Sequence, residues 1–151
     1  MISRTGMFAI LFLFFTNVFA ENHSEKQAVQ NAYYSWCKAI SEAKGNPQLV
    51  VKFYAPDATL MPTLSADILH NTDGGLNEYF THLTSYRDIH CVPQKLTTRI
   101  KGQIATNNGL YDFVYFNDQG KQQNLPARFT FIYKKINGEW LITQHHSSKL
   151  P

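Results

Sequence analysis

Residues 126–148 read PARFTFIYKKINGEWLITQHHSS, and this stretch decides the fold. Its first part sets aromatic side chains at alternate positions, which is the pattern of a β-strand with one buried face. Asn137 and Gly138 form a two-residue signal for a tight hairpin turn. Trp140 and Ile142 then open a returning strand. The stretch therefore predicts a β-hairpin near the C-terminal end of the chain.

The segment before this hairpin predicts further β-structure. Two strands are expected over residues 96–105 and 110–117, with a turn at Asn107–Gly109 between them. A second turn at residues 118–121 leads into the strand of residues 123–135. Four consecutive strands joined by short turns favour an antiparallel sheet.

The part of the chain before these strands, from residue 24 onward, carries mostly helical patterns. Ser24–Gln27 fits a capping box at the start of a helix. Apolar residues behind it recur at helical spacing, namely Val29, Tyr33, Trp36, Ile40 and Ala43. Gly45 ends this helix, and two shorter helices are expected after Asn46 and around residues 76–83, with a short strand at residues 58–61 between them. This order predicts an α+β fold in which a curved antiparallel sheet wraps around a long N-terminal helix.

Residues 1–20 have the three regions of a secretory signal peptide. Arg4 gives the N-terminal region a positive charge, and Met7–Phe15 is an uncharged apolar run. Val18–Ala20 places small residues at the positions that a signal peptidase recognises. We therefore expect cleavage after Ala20.

Cleavage would leave residues 21–151 as a single domain. A permanent membrane anchor is the alternative, but a spanning helix needs about 20 apolar residues. Thr16 and Asn17 interrupt the apolar run before that length is reached. The mature protein is therefore expected in the periplasm or outside the cell, without a membrane partner.

Charge and cysteine content narrow the function classes further. The sequence has 14 Lys and Arg residues and 11 acidic ones, and the basic residues are scattered. A surface that binds nucleic acid needs a clustered basic face, so we expect no nucleic-acid partner.

The two cysteines, Cys37 and Cys91, match no zinc or redox motif. In an oxidising compartment they allow one disulfide, and two separate buried thiols are the alternative.

Two stretches also carry a family resemblance. Residues 53–62, FYAPDATLMP, resemble the segment after the second helix in bacterial members of the nuclear transport factor 2-like superfamily. Residues 126–148 are similar to bacterial, often exported, relatives of the calcium/calmodulin-dependent protein kinase II association (hub) domain. The resemblance covers residues 25–151 and implies a cone-shaped fold of the nuclear transport factor 2-like or cystatin-like kind.

The resemblance implies an assembly module with a pocket in each cone. It implies no kinase activity, because the sequence has no glycine-rich phosphate loop and no His-Arg-Asp or Asp-Phe-Gly triplet. We expect the protein to self-associate as a homodimer or larger and to bind a small anionic ligand without a cofactor. The alternative is a small enzyme of the isomerase, cyclase or dehydratase type, in which a pocket histidine or aspartate moves a proton.

Arg128 leads the candidate binding site. Counting residues back from the two turns places it on one sheet face with Tyr111, Thr130 and His145. A guanidinium inside an aromatic strand needs partners for its donors, so this face is expected to bind a small carboxylate. The opposite face carries Phe129, Phe131, Tyr133, Trp140, Ile142 and the second histidine candidate, His146. That apolar face predicts a homodimer unless the helices cover it.

Two residues are candidates for acid–base chemistry. His145 is one, and Asp57 is the other, although its Pro-Asp-Ala context favours a turn. His145 and His146 point to opposite faces and cannot readily share one ion, so no metal site is predicted.

Overall fold

The computed structural model describes residues 6–63 and 65–151, with side chains from residue 23 onward. The predicted α+β fold with a long N-terminal helix is confirmed. The elements are α1 (Gly6–Glu42), α2 (Gln48–Val51), β1 (Tyr54–Met61), β2 (Leu69–His70), α3 (Gly75–Ser85), β3 (Arg87–Lys101), β4 (Ile104–Phe116), β5 (Gln122–Ile136) and β6 (Glu139–Lys149).

The sheet has six strands in the order β2-β1-β6-β5-β4-β3. Neighbours from β3 to β6 are antiparallel, as the short turns between them predict. The pairing of β1 with β6 is parallel, so the sheet is mixed at that side. The short β2 then pairs with β1 in the antiparallel direction.

Helix α1 lies across the inner face of this sheet and supplies the centre of the core. The predicted stripe is fully buried, and Tyr33, Trp36 and Ile40 have no exposed surface. The ring of Trp36 meets that of Phe131 of β5 edge-on at 5.1 Å. Burial of the α1 stripe therefore holds the helix against the inner face of the sheet.

The start of α1 differs from the prediction. The helix runs through Ser24 without a break, so the capping box is not formed in this chain. Of the predicted signal segment, residues 1–5 lie outside the described residues, and residues 6–20 form the first part of α1. Within the described residues, no helix is both long enough and apolar enough to cross a membrane.

A disulfide joins α1 to the sheet. Cys37 of α1 and Cys91 of β3 are bonded, with their Cα atoms 5.0 Å apart and 54 positions apart in sequence. Both residues are buried in the core. The bond therefore fixes the long helix to the strand at the sheet edge.

The predicted turn at Asn107–Gly109 is wrong, because these residues lie inside β4. The chain turns earlier, at Gly102, which has a φ of 60°. Asn107 is buried, accepts a hydrogen bond from Thr98 at 2.7 Å and donates one to the backbone oxygen of Val29 at 3.3 Å. The asparagine thus serves a contact between the sheet and α1.

Gly109 has a packing reason of its own. A Cβ atom at this position would overlap the carbonyl oxygen of Lys95 on β3 and lie 3.0 Å from the ring of Phe129. Glycine is therefore required by the close approach of β3 to β4.

The predicted hairpin at Asn137 and Gly138 is confirmed, with positive φ at both residues. The register predicted from it holds from the pair Ile136↔Glu139 to Tyr133↔Ile142. A β-bulge then inserts one extra residue, Thr143, whose hydroxyl donates to the Ile132 carbonyl at 3.1 Å. Beyond the bulge, every side chain of β6 lies on the opposite face from the predicted one.

The predicted division of the two sheet faces is consequently wrong. His145 pairs with Phe131 and lies on the inner face, whereas His146 pairs with Thr130 on the outer face. Arg128 pairs with Leu110 of β4, because a five-residue loop at 117–121 replaces the shorter predicted turn. The aromatic face is the buried core beneath α1, so it offers no surface for a dimer.

Candidate functional site

Six side chains form a continuous polar chain through the apolar interior. They come from α1, β1, β4, β6 and the segment after β1, and we call them the hydroxyl–imidazole chain. Its members are Trp36, Tyr54, His145, Tyr111, Ser147 and Thr63.

The first links run from α1 to β6. The Trp36 indole N–H donates to the Tyr54 hydroxyl at 3.1 Å. The Tyr54 hydroxyl lies 2.8 Å from His145 Nδ1. Because indole can only donate, the Tyr54 proton is free to go to the imidazole, which leaves Nδ1 as an acceptor.

The remaining links run from β6 to the segment after β1. His145 Nε2 lies 3.4 Å from the Tyr111 hydroxyl, which donates to Ser147 at 2.7 Å. Ser147 in turn contacts the hydroxyl of Thr63. With Nδ1 accepting, the His145 proton lies on Nε2, and this N–H donates a hydrogen bond to the Tyr111 hydroxyl. The donors from Trp36 to Ser147 then all point the same way.

Burial keeps the side chains of the hydroxyl–imidazole chain uncharged. It holds the pKa of His145 well below its ordinary value, and the neighbouring His146 adds a smaller effect in the same direction. Burial also raises the pKa of Tyr54 and of Tyr111 above the ordinary tyrosine value. The imidazole and both phenols are therefore neutral at neutral pH, and both nitrogens of His145 already face a partner.

The predicted site residues divide between the two faces. Tyr111 and His145 are brought together in the interior. Arg128 is exposed on the outer face, where its Nε donates to Ser148 at 2.9 Å. Thr130 donates to Asn108 at 2.9 Å on the same face.

The two other candidates also lie outside the interior. His146 is exposed on the outer face, and Asp57 is exposed on β1. The predicted four-residue carboxylate site is not assembled, because the bulge in β6 and the longer loop before β5 separate its members.

A cavity of about 630 Å³ opens between α3, the end of β4 and the segment that leads into β2. We call it the mouth cavity. Its aromatic lining is Tyr79, Tyr86 and Tyr115, and its acidic lining is Asp67 and Glu78. Volumes of this order are typical of small-molecule sites.

The mouth cavity was not among the sites predicted from the sequence. Tyr79, Leu83 and Tyr86 recur at the i, i+4, i+7 spacing of one helix face. Tyr115 follows Tyr111 at the alternate spacing of one strand face. Both spacings were available signals, but they indicate buried faces as readily as a ligand site.

Metal ligands are not grouped in the described part of the chain. No three His, Cys, Asp or Glu side chains there lie close enough to hold an ion.

Residues 25–151 match the family of the calcium/calmodulin dependent protein kinase II association domain. The chain belongs to this family. The match spans the end of α1 and every element after it. The predicted resemblance is thereby confirmed, and none of the curated proteins matches the sequence.

Solved structures place this association domain within a wider fold. A protein from Xanthomonas campestris, assigned to the same association domain, shares 33% identity over 82% of this chain and 86% of its own, with a TM-score of 0.74. The association domain of C. elegans CaMKII has 14% identity and a TM-score of 0.68, covering 85% of this chain and 98% of that one.

A nuclear transport factor 2-like superfamily protein from Salmonella enterica has the same architecture. It has 18% identity and a TM-score of 0.73 over 85% of this association domain and 93% of its own chain. These similarities show that the cone is the fold of the nuclear transport factor 2-like superfamily.

Proposed function

We propose that this protein is an exported, self-associating module that binds a small organic molecule at the mouth of its cone. The proposal rests on the mouth cavity. This cavity is open, whereas the largest side chains of the core are fully buried. Its walls combine aromatic rings with a few polar groups, which is the usual composition of a ligand pocket.

Binding is favoured over proton-transfer catalysis by the state of His145. A general base needs an acceptor nitrogen that can reach a substrate proton. The Nδ1 atom of His145 faces the Tyr54 hydroxyl and its Nε2 faces that of Tyr111. The second acid–base candidate, Asp57, is exposed on β1 and lies outside this chain of contacts.

Self-association is supported by the outer face of the sheet. Ile104 of β4 is 44% exposed, and Ile132 of β5 lies beside it in the cross-strand pattern, opposite Thr106. Leu110 lies further along the same face, opposite Arg128. The family is named for association, and this mixed apolar and polar surface is the one that the helices leave uncovered.

The expected mass in solution follows from this proposal. Light scattering at tens of micromolar should give at least twice the subunit mass for the exported protein. Ile104→Lys with Ile132→Lys should give one subunit mass, because two buried ammonium groups would cost more than the interface gains.

The matched control is Leu49→Lys with Ile68→Lys, which replaces two exposed apolar side chains elsewhere on the molecule. This variant should keep the wild-type mass. A wild-type protein of one subunit mass, or an outer-face variant that stays oligomeric, would reject association through this face.

Export is supported by the layout of the chain, since the family match begins at residue 25, beyond the signal-like segment. Intact-mass measurement of exported protein, without reductant, should give a chain that starts at Glu21. The mass should also be about 2 Da lower than that of the reduced chain, because Cys37 and Cys91 are bonded. Retention of residues 1–20 would contradict export by cleavage.

A further inference from the structure

Aromatic side chains line the mouth cavity. Tyr86, which follows α3, and Tyr115 of β4 are in contact, with ring centroids 4.6 Å apart and planes tilted by 40°. His82 of α3 extends this wall, its ring lying 5.5 Å from that of Tyr86. Tyr79 lies one helical turn before Leu83 on the same helix and completes the lining.

The charged groups of this cavity all have one sign. Glu78 of α3 and Asp67 of the segment before β2 both line it, and neither Lys nor Arg does so. Among the described side chains, the two salt bridges are Lys38–Glu42 and Lys135–Glu25, so neither carboxylate of the cavity is neutralised by a salt bridge there. A ligand in this cavity therefore meets net negative charge beside aromatic side chains.

A second cavity has a different lining. It measures about 620 Å³, shares Tyr86 with the mouth cavity, and is lined by Lys44, Arg87, Asp88 and His90. Lysine and arginine therefore border this second cavity, with one acid among them, whereas neither residue type borders the mouth cavity.

We propose that the mouth cavity binds a small organic cation, namely an amine whose nitrogen carries apolar substituents. The tyrosine rings attract the cation through their electron-rich faces, and Glu78 and Asp67 supply the opposite charge. Leu69 and Leu83 contact the apolar substituents. This inference rests on the proposed ligand-binding function and replaces the anionic ligand expected from the sequence.

Three probes of nearly equal shape test the charge preference directly. Choline is a cation, 3,3-dimethyl-1-butanol is its neutral analogue, and 3,3-dimethylbutyrate is the anion. Calorimetry with the exported protein should give choline an affinity at least tenfold above that of the alcohol. The affinity for choline should fall as sodium chloride is raised, because the carboxylates at the rim are exposed to solvent.

Two variants test the assigned residues. Glu78→Gln should weaken choline binding roughly fivefold or more and leave binding of the alcohol unchanged, since only a charge is removed. Tyr115→Leu should also weaken choline selectively, because it keeps apolar volume and removes the ring face. Lys44→Gln alters the second cavity and should change neither the affinity for choline nor that for the alcohol.

The outcomes separate this inference from the proposed function. Equal or tighter binding of the alcohol or of 3,3-dimethylbutyrate in the mouth cavity would overturn the cation preference while ligand binding stands. Binding of choline that is unchanged in Glu78→Gln and Tyr115→Leu would place the cation elsewhere and overturn the assigned site. Failure of all three probes to bind at millimolar concentration would count against both.

Discussion

Replacing Cys37 and Cys91 together by alanine is expected to lower the free energy of unfolding by about 4 kcal/mol. The bond closes a loop of 54 residues, and removing that constraint returns conformational entropy to the unfolded chain. Equilibrium unfolding in urea measures the loss. This is a large share of the stability of a domain of this size, which is typically about 5–15 kcal/mol.

Reduction of the wild type is the control that separates the bond from the packing of the sulfur atoms. Reduced wild-type protein keeps both side chains and should lose most of the same free energy. A double variant within about 1 kcal/mol of the oxidised wild type would show that the bond contributes little. Free-thiol counting on unreduced protein should find none of the two cysteines reactive.

Acidification is the second condition expected to destabilise the protein strongly, and His145 is the reason. Its pKa is lowered in the folded state by burial. Below about pH 6.5 the histidine is therefore protonated in the unfolded chain but stays neutral in the folded one. The free energy of unfolding then falls by about 1.4 kcal/mol per pH unit until the pKa of the folded state is reached. Above pH 6.5 the imidazole is neutral in both states and adds no slope.

The test compares unfolding free energies at a series of pH values between 7.5 and 5. His145→Gln keeps a neutral hydrogen-bonding side chain and should remove this part of the slope, at the cost of lower stability at pH 7.5. His146→Gln should retain most of it, because the exposed His146 contributes less than burial does. Parallel curves for wild type and His145→Gln would refute the assignment.

The groups packed around His145 make this assignment specific. Trp36 of α1 and Phe131 of β5 meet its ring edge-on, at 5.5 and 4.1 Å. Tyr54 and Tyr111 meet its nitrogens. None of these four neighbours carries a charge near pH 6, so none can compensate a protonated imidazole.

Local signals predicted much of this fold correctly. The stripe of α1 follows from spacing alone, since each buried residue returns after three or four positions. The Asn137–Gly138 hairpin follows from two residues that adopt positive φ readily. These features depend on neighbours in sequence, which is why they could be read without the structure.

Residues whose role depends on tertiary contacts were predicted incorrectly. Asn107 and Gly109 have the composition of a turn, yet the asparagine is buried against Val29 and the glycine admits the backbone of Lys95. Their role is set by packing against α1, 78 positions away at Val29, and by the close pairing of β4 with β3. The same residue types therefore gave a false turn.

The candidate site was predicted only in part for a similar reason. Tyr111 and His145 meet as expected in the interior. The register that would have joined them to Arg128 fails at two places, the bulged Thr143 in β6 and the five-residue loop at 117–121 before β5. The mouth cavity draws on α3, β4 and the segment before β2, so its tyrosines and carboxylates converge only in the folded chain.

The bulge at Thr143 also affects how this protein should be aligned with its relatives. A relative with a regular last strand would have one residue fewer between its hairpin and the position that corresponds to His145. Correct equivalence then requires a gap opposite Thr143. Without that gap, the alignment would equate the interior His145 with a solvent-facing neighbour, and any residue-by-residue transfer of ligand contacts along β6 would be inverted.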